Sequence, residues 1–335
     1  MFGTRELIHN VRNCCGPAKA VTPYVWSPGF CRVLPALLLL VASGCSINRY
    51  ALNKTADALS KSGSTFASDD DPELIKTAAP FSLKLMESLL ANNPQHAGLL
   101  TALASGFTQY SFAFVQEDAD EMEAQDLKGS DAQRTRARRL YLRAQGYGLQ
   151  GLEALHPGFT KRLASEPQVA ARAATKADVP LLYWTAAAWA SAISLSKDNP
   201  EVVGQIPSME ALIMRALELD PDYDHGAVQT FMITFEMSRP GAGKDAAERS
   251  RRHFDRAVAL SKGADAGPYV ALAEAVTIQT QDVKQFESLL NQALAINADA
   301  QPEIRLANLV MQRRARWLLS RKSELFLTDD NEKKH

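Results

Sequence analysis

The sequence predicts an all-α protein in which helical hairpins form a curved array. Three observations carry that expectation. Apolar residues recur at helical spacing along most of the chain, small residues sit one turn before successive polar breaks, and no segment of five or more residues shows two-residue alternation.

The first element is not part of that array. In "LLLLVASGCSINRY", residues 37–50, an apolar run ends in small residues and a cysteine. The run from Val33 to Ala42 is ten residues long and contains Pro35, whereas a spanning helix needs about 20 residues. Ahead of it stand Arg5, Arg12, Lys19 and Arg32 against one acid, Glu6, which is the charge pattern of a secretory leader. Ala42-Ser43-Gly44-Cys45 then reads as a lipobox. Residues 1–44 are expected to be a cleaved signal peptide, and Cys45 the lipidated residue that anchors the chain. The other cysteines, Cys14, Cys15 and Cys31, all lie in the leader, so cleavage leaves one thiol and no disulfide framework. Ser46 after the cysteine favours release to the outer membrane, facing the periplasm. Removing the leader takes away four basic residues and one acidic residue and leaves a net charge of −4, which disfavours nucleic acid as a partner.

Residues 45–71 carry a short amphipathic stretch and then "KSGSTFASDDD", read as a lipidated N-terminus and flexible tether. The α-helical domain is expected over 72–327, followed by a polar tail at 328–335. Its first helix starts at Asp71-Pro72-Glu73, which supplies a cap, a preset φ and a negative charge at the positive helix end. Leu74, Ala78, Phe81, Leu85 and Leu89 mark its expected inner face, and "NNP" at 92–94 stops it. "WTAAAWASAISLS" at 184–196 suits close helix contact. The breaks in "RALELDPD", "RAVALSKG" and "QALAINAD" follow Ala216, Ala257 and Ala293, which are 41 and 36 residues apart. These intervals lie near the ~34-residue period of tetratricopeptide (TPR) repeats, so the array is read as degenerate TPR-like hairpins.

Motifs for catalysis are weak. "GYGLQG" at 146–151 matches a dinucleotide fingerprint but follows helical "RARRLYLRAQ" instead of a strand, and its glycines are read as helix-packing residues. "GAGKD" at 241–245 lacks the first phosphate-loop glycine and is read as a loop. The histidines after the leader, His96, His156, His225, His253 and His335, have no metal-ligand spacing. No cofactor, metal or catalytic residue is nominated, and the chain is not expected to be an enzyme.

Aromatic placement says more. Phe107, Tyr110 and Phe114 share one helix face, and Tyr141, Tyr147, Tyr183, Trp184, Trp189 and Tyr223 follow on later helices. Core packing is the default for such stripes. The functional reading takes Tyr110, Phe114, Tyr183, Trp184, Trp189 and Tyr223 as the lining of a concave groove, offering apolar faces and polar tips. Arg305 to Asn308 opens a late helix; Arg305 and Asn308 are the candidate polar contacts. Arg134, Arg136, Arg138 and Arg139 read as a solvated face or a docking site for a partner.

Four segments in order, "NNPQHAGLLTALASGFTQYSFAFVQEDAD", "RARRLYLRAQGYGLQGLEALHPGF", the stretch from "LLYWTAAAWASA" to "DYDHGAV", and "PEIRLANLVMQRRARWLL", resemble the T-component of TRAP transporters (TatT-like proteins) over residues 72–327. The resemblance implies a lipid-anchored periplasmic accessory that works beside the substrate-binding protein of a tripartite ATP-independent transporter. It also implies carboxylates as the cargo of the system. A small hydrophobic or carboxylate ligand and a homo-oligomer are further expectations. The alternative is a general TPR-type envelope scaffold with no transported ligand.

Overall fold

Asp71 begins the first long helix as expected: its carboxylate accepts from the backbone N–H groups of Glu73 and Leu74, both at 3.0 Å. The computed structural model describes Lys54, residues 63–196 and residues 199–327. The expected leader 1–44, Cys45, most of the tether and the tail 328–335 lie outside the described residues.

The main helices are α1 (Pro72–Leu90), α2 (Ala97–Ser111), α3 (Glu117–Met122), α4 (Leu127–Leu155), α5 (Val179–Ser194), α6 (Ile206–Leu219), α7 (Tyr223–Ser238), α8 (Ala246–Leu260), α9 (Gly267–Leu272), α10 (Val283–Ala295) and α11 (Arg305–Ser320). All regular elements among the described residues are helical. None of their helices is long and apolar enough to cross a membrane. A short helix, Gly63–Ala67, precedes α1 inside the expected tether, and Phe66 packs near Ile75 and Ala79.

The expected inner face of α1 is corrected. Ile75, Ala79, Leu83, Met86 and Leu90 are buried, whereas Leu74, Phe81 and Leu85 are 55%, 75% and 39% exposed. The helix carries apolar residues on two sides, and packing against α2 selects the neighbouring stripe, one or two positions later.

Sequential packing then runs α2 on α4, α4 on α5, α5 on α6, α7 on α8 and α10 on α11. Ala216, Ala257 and Ala293, the small residues before the breaks, are all fully buried. The "GYGLQG" glycines lie inside α4. A Cβ on Gly148 would come within 2.0 Å of Thr185 Oγ1, so the absence of a side chain there lets α4 and α5 touch. Two π-helical turns interrupt the α-pattern, Phe112–Gln116 between α2 and α3, and Ala273–Thr277 after α9. "GAGKD" is a loop between α7 and α8.

Candidate functional site

Tyr183 and Trp184 stand at the start of α5, just after Pro180 has set its first turn. Neighbours in sequence on a helix diverge, yet both rings meet: their centroids are 4.9 Å apart at 73°. Tyr223, at the start of α7, closes the group with its ring 5.6 Å from Tyr183. All three rings are half-buried. The Tyr183 hydroxyl makes no hydrogen bond to another described residue, although burial, reinforced by Asp224, Tyr223 and Asp265, pushes its pKa up. Burial likewise pushes Tyr223 up to about 12, with Asp224 adding to the rise and the Trp184 side chain, within hydrogen-bonding reach, opposing it.

The backbone that aims Tyr223 is unusual. Asp224, His225 and Gly226 have φ values of 46°, 54° and 100°, so three successive residues are left-handed, a conformation that L side chains disfavour. Gly226 is required twice. Its φ suits glycine, and a Cβ there would lie 3.2 Å from Ala257 Cα in α8.

Asp265, half-buried in the loop before α9, is the carboxyl at this end of the cluster. Burial raises its pKa; the backbone N–H of Gly267, donating at 2.8 Å, opposes the rise, Asp224 adds to it and His225 opposes it. Asn308, itself buried, grips the loop on both sides of Asp265: its Oδ1 accepts from Ala266 N at 2.8 Å and its Nδ2 donates to the Ala264 carbonyl at 2.9 Å. Asn308 therefore positions the loop that carries the site's carboxyl. Gly263 and Ala264 of this loop, with Tyr269, Gln292 and Asn297, line a cleft of about 360 Å³. A second open cleft, about 320 Å³, lies between α2 and the start of α5, with Thr101 and Ser105 among small apolar residues.

The remaining candidates are placed elsewhere. Tyr110 and Phe114 pair at 5.8 Å against α1 and α11, and Arg136 donates to the Tyr110 hydroxyl at 3.3 Å. Trp189 is core, with Nε1 donating to Gln205 Oε1 at 2.8 Å. Arg305 donates to the Ser68 carbonyl at 2.9 Å and pairs with Asp299 at 3.0 Å, tying the chain before α1 to α11. The eight predicted side chains thus do not form one groove; Tyr183, Trp184 and Tyr223 meet, and Asn308 holds the loop that carries Asp265. Sequence reasoning missed Asp265 and the left-handed turn at 224–226, for which "DHG" was the signal available. Arg134 pairs with Asp120 and Glu123.

The arrangement offers three mutually tilted aromatic rings, a phenol with no hydrogen-bond partner among the described residues, and a carboxyl whose pKa burial raises. It suits an apolar body with one hydrogen-bonding end.

A family model described as TRAP transporter T-component matches residues 68–326. An uncharacterized protein of Treponema pallidum (strain Nichols) is 28% identical over 307 residues, covering 86% of this chain and 95% of that protein.

Proposed function

The chain belongs to the TRAP transporter T-component family, an accessory of a TRAP transport system, and from that premise we propose that it joins a periplasmic substrate-binding protein and holds a small, mainly apolar ligand at Tyr183, Trp184 and Tyr223. The observation that carries the ligand reading is the three-ring cluster, in which the Tyr183 hydroxyl has no hydrogen-bond partner among the described residues. Asp224 and Asp265 are carboxyls beside the same rings, and Arg305 is committed to Ser68 and Asp299. Two acidic side chains beside the rings, with Arg305 engaged elsewhere, favour a neutral apolar ligand over a carboxylate at this site.

On this reading the paired helices are degenerate TPR-like hairpins in a curved array, and lipidation of Cys45 tethers the domain to the outer membrane on its periplasmic side. Replacing Cys45 by Ala would then move the protein from the membrane fraction to the soluble one; retention at a lipidated mass would contradict the anchor. For the ligand, small molecules extracted from the purified intact chain would be compared with those from Trp184→Ala. Loss of a bound apolar compound with an unchanged helical spectrum supports the reading. Equal occupancy, or an empty wild type, overturns it.

A further inference from the structure

Glu117 is the first residue of α3, delivered to the interior by the π-helical turn Phe112–Gln116. Such turns add a residue to a helix and shift the side chains after it onto a different face. The Glu117 side chain is fully buried, and neither of its carboxylate oxygens has a hydrogen-bond partner. The cation beside it is Arg314 of α11, whose Nη1 lies 3.3 Å from Oε1. That guanidinium is already engaged. Nη1 donates to Asp120 Oδ2 at 2.7 Å and Nη2 to Glu274 Oε1 at 2.5 Å, and its Cζ lies 4.5 Å from the Trp317 ring centre. Glu274 itself comes from the second π-helical turn.

The surrounding ion pairs extend the cluster. Arg134 bridges Asp120 and Glu123, Arg313 bridges Asp118 and Glu121, Lys76 reaches Asp118, and Arg321 reaches Glu123. Leaving aside the solvent-exposed Glu73 and Glu324 at its margins, this joint between α3 and α11 contains six carboxyl groups and five cations. One acid has no cation to balance it. Glu117 is the group for which ionisation is hardest, because a buried carboxylate without hydrogen bonds has lost its hydration and gained nothing comparable.

We propose that Glu117 is a proton-binding site that closes the joint between α3 and α11 when protonated and loosens it when ionised. Charge balance and burial carry this independently of the ligand reading above. The groups facing Glu117 are Arg313 and Arg314 from α11, Asp120 from its own helix, Glu274 from the second π-helical turn, and Tyr141 of α4, whose hydroxyl donates to the adjacent Gln116 at 2.7 Å. Burial pushes Glu117 up to about 7; Arg314 opposes the rise, Glu274 and Asp120 add to it, and Arg313 opposes it. The folded state therefore keeps a proton that the unfolded chain has lost above its ordinary value of 4.5. Stability falls as pH rises from that value to about 7 and levels beyond it.

The test uses the intact chain and E117Q, whose amide keeps the shape of the neutral acid. Hydrogen exchange in α3 and α11, corrected for the intrinsic pH dependence, would be followed from pH 6 to pH 8. In the wild type, opening should increase roughly tenfold, following the ionised fraction around a midpoint near 7, and in E117Q it should stay level. Parallel behaviour of the two proteins overturns the proposal. Should E117Q fail to fold, carbon-13 NMR of the wild-type Glu117 carboxyl decides: a midpoint near 7 supports the site, and one near 4.5 overturns it.

Discussion

Asn308 holds the backbone on both sides of Asp265, so its removal acts through that loop. Asn308→Ala would leave the buried Ala266 N–H and the Ala264 carbonyl without their side-chain partners, a loss of about 1–3 kcal/mol. Chemical denaturation would measure it, and an unchanged midpoint would show that the loop holds itself. Gly148 makes the complementary case, since an added methyl meets Thr185 Oγ1, Cβ and Cα within 3.2 Å. Gly148→Ala should destabilise by about 1–3 kcal/mol through overpacking, and should do so without touching the aromatic cluster. The sequence marked both residues without their reasons. Asn308 was legible as a polar residue opening a late helix, but its partners lie more than 40 positions earlier, beyond any local pattern. Arg305 was legible as a two-pronged donor, yet tertiary contacts with Ser68 and Asp299 claim it.

At the scale of elements, α1 shows where periodicity is ambiguous. Leucines and alanines occupy two adjacent stripes of that helix, and both satisfy the three-and-four spacing of a buried face. What decides between them is the neighbour: Leu83 reaches the side-chain-free position of Gly106 in α2, where a Cβ would lie 2.7 Å from Leu83 Cδ2. Leu83→Ala should therefore cost about 2–5 kcal/mol, whereas Phe81→Ser, at a position 75% exposed, should stay within about 0.5 kcal/mol of wild type. Thermal melts of the two variants give the comparison, and a larger loss for Phe81→Ser would restore the other face. Caps and breaks were more legible than faces. Asp71 caps α1, and the buried alanines before the polar breaks sit near the ends of α6, α8 and α10 as expected. The π-helical turns were not legible, because the added residue has no composition of its own.

Across the whole molecule, the all-helical class was readable because period, small residues and breaks all point the same way. The family was readable from four ordered segments, and the matched range 68–326 agrees with them. The candidate site was readable only in part. Aromatic type and helix position suggested Tyr183, Trp184 and Tyr223, but the entry of Tyr223 runs through the left-handed turn at 224–226 and the nearby carboxyl sits in a loop that Asn308 fixes. The proposed role of this helical domain is to serve a TRAP system by joining its substrate-binding protein. Calorimetric titration of the purified intact chain with the purified substrate-binding protein of the same transport system is the deciding measurement. A saturable complex of defined stoichiometry is the predicted result; no heat and no co-migration at about 100 μM, an affinity weaker than roughly −5.5 kcal/mol, would contradict it.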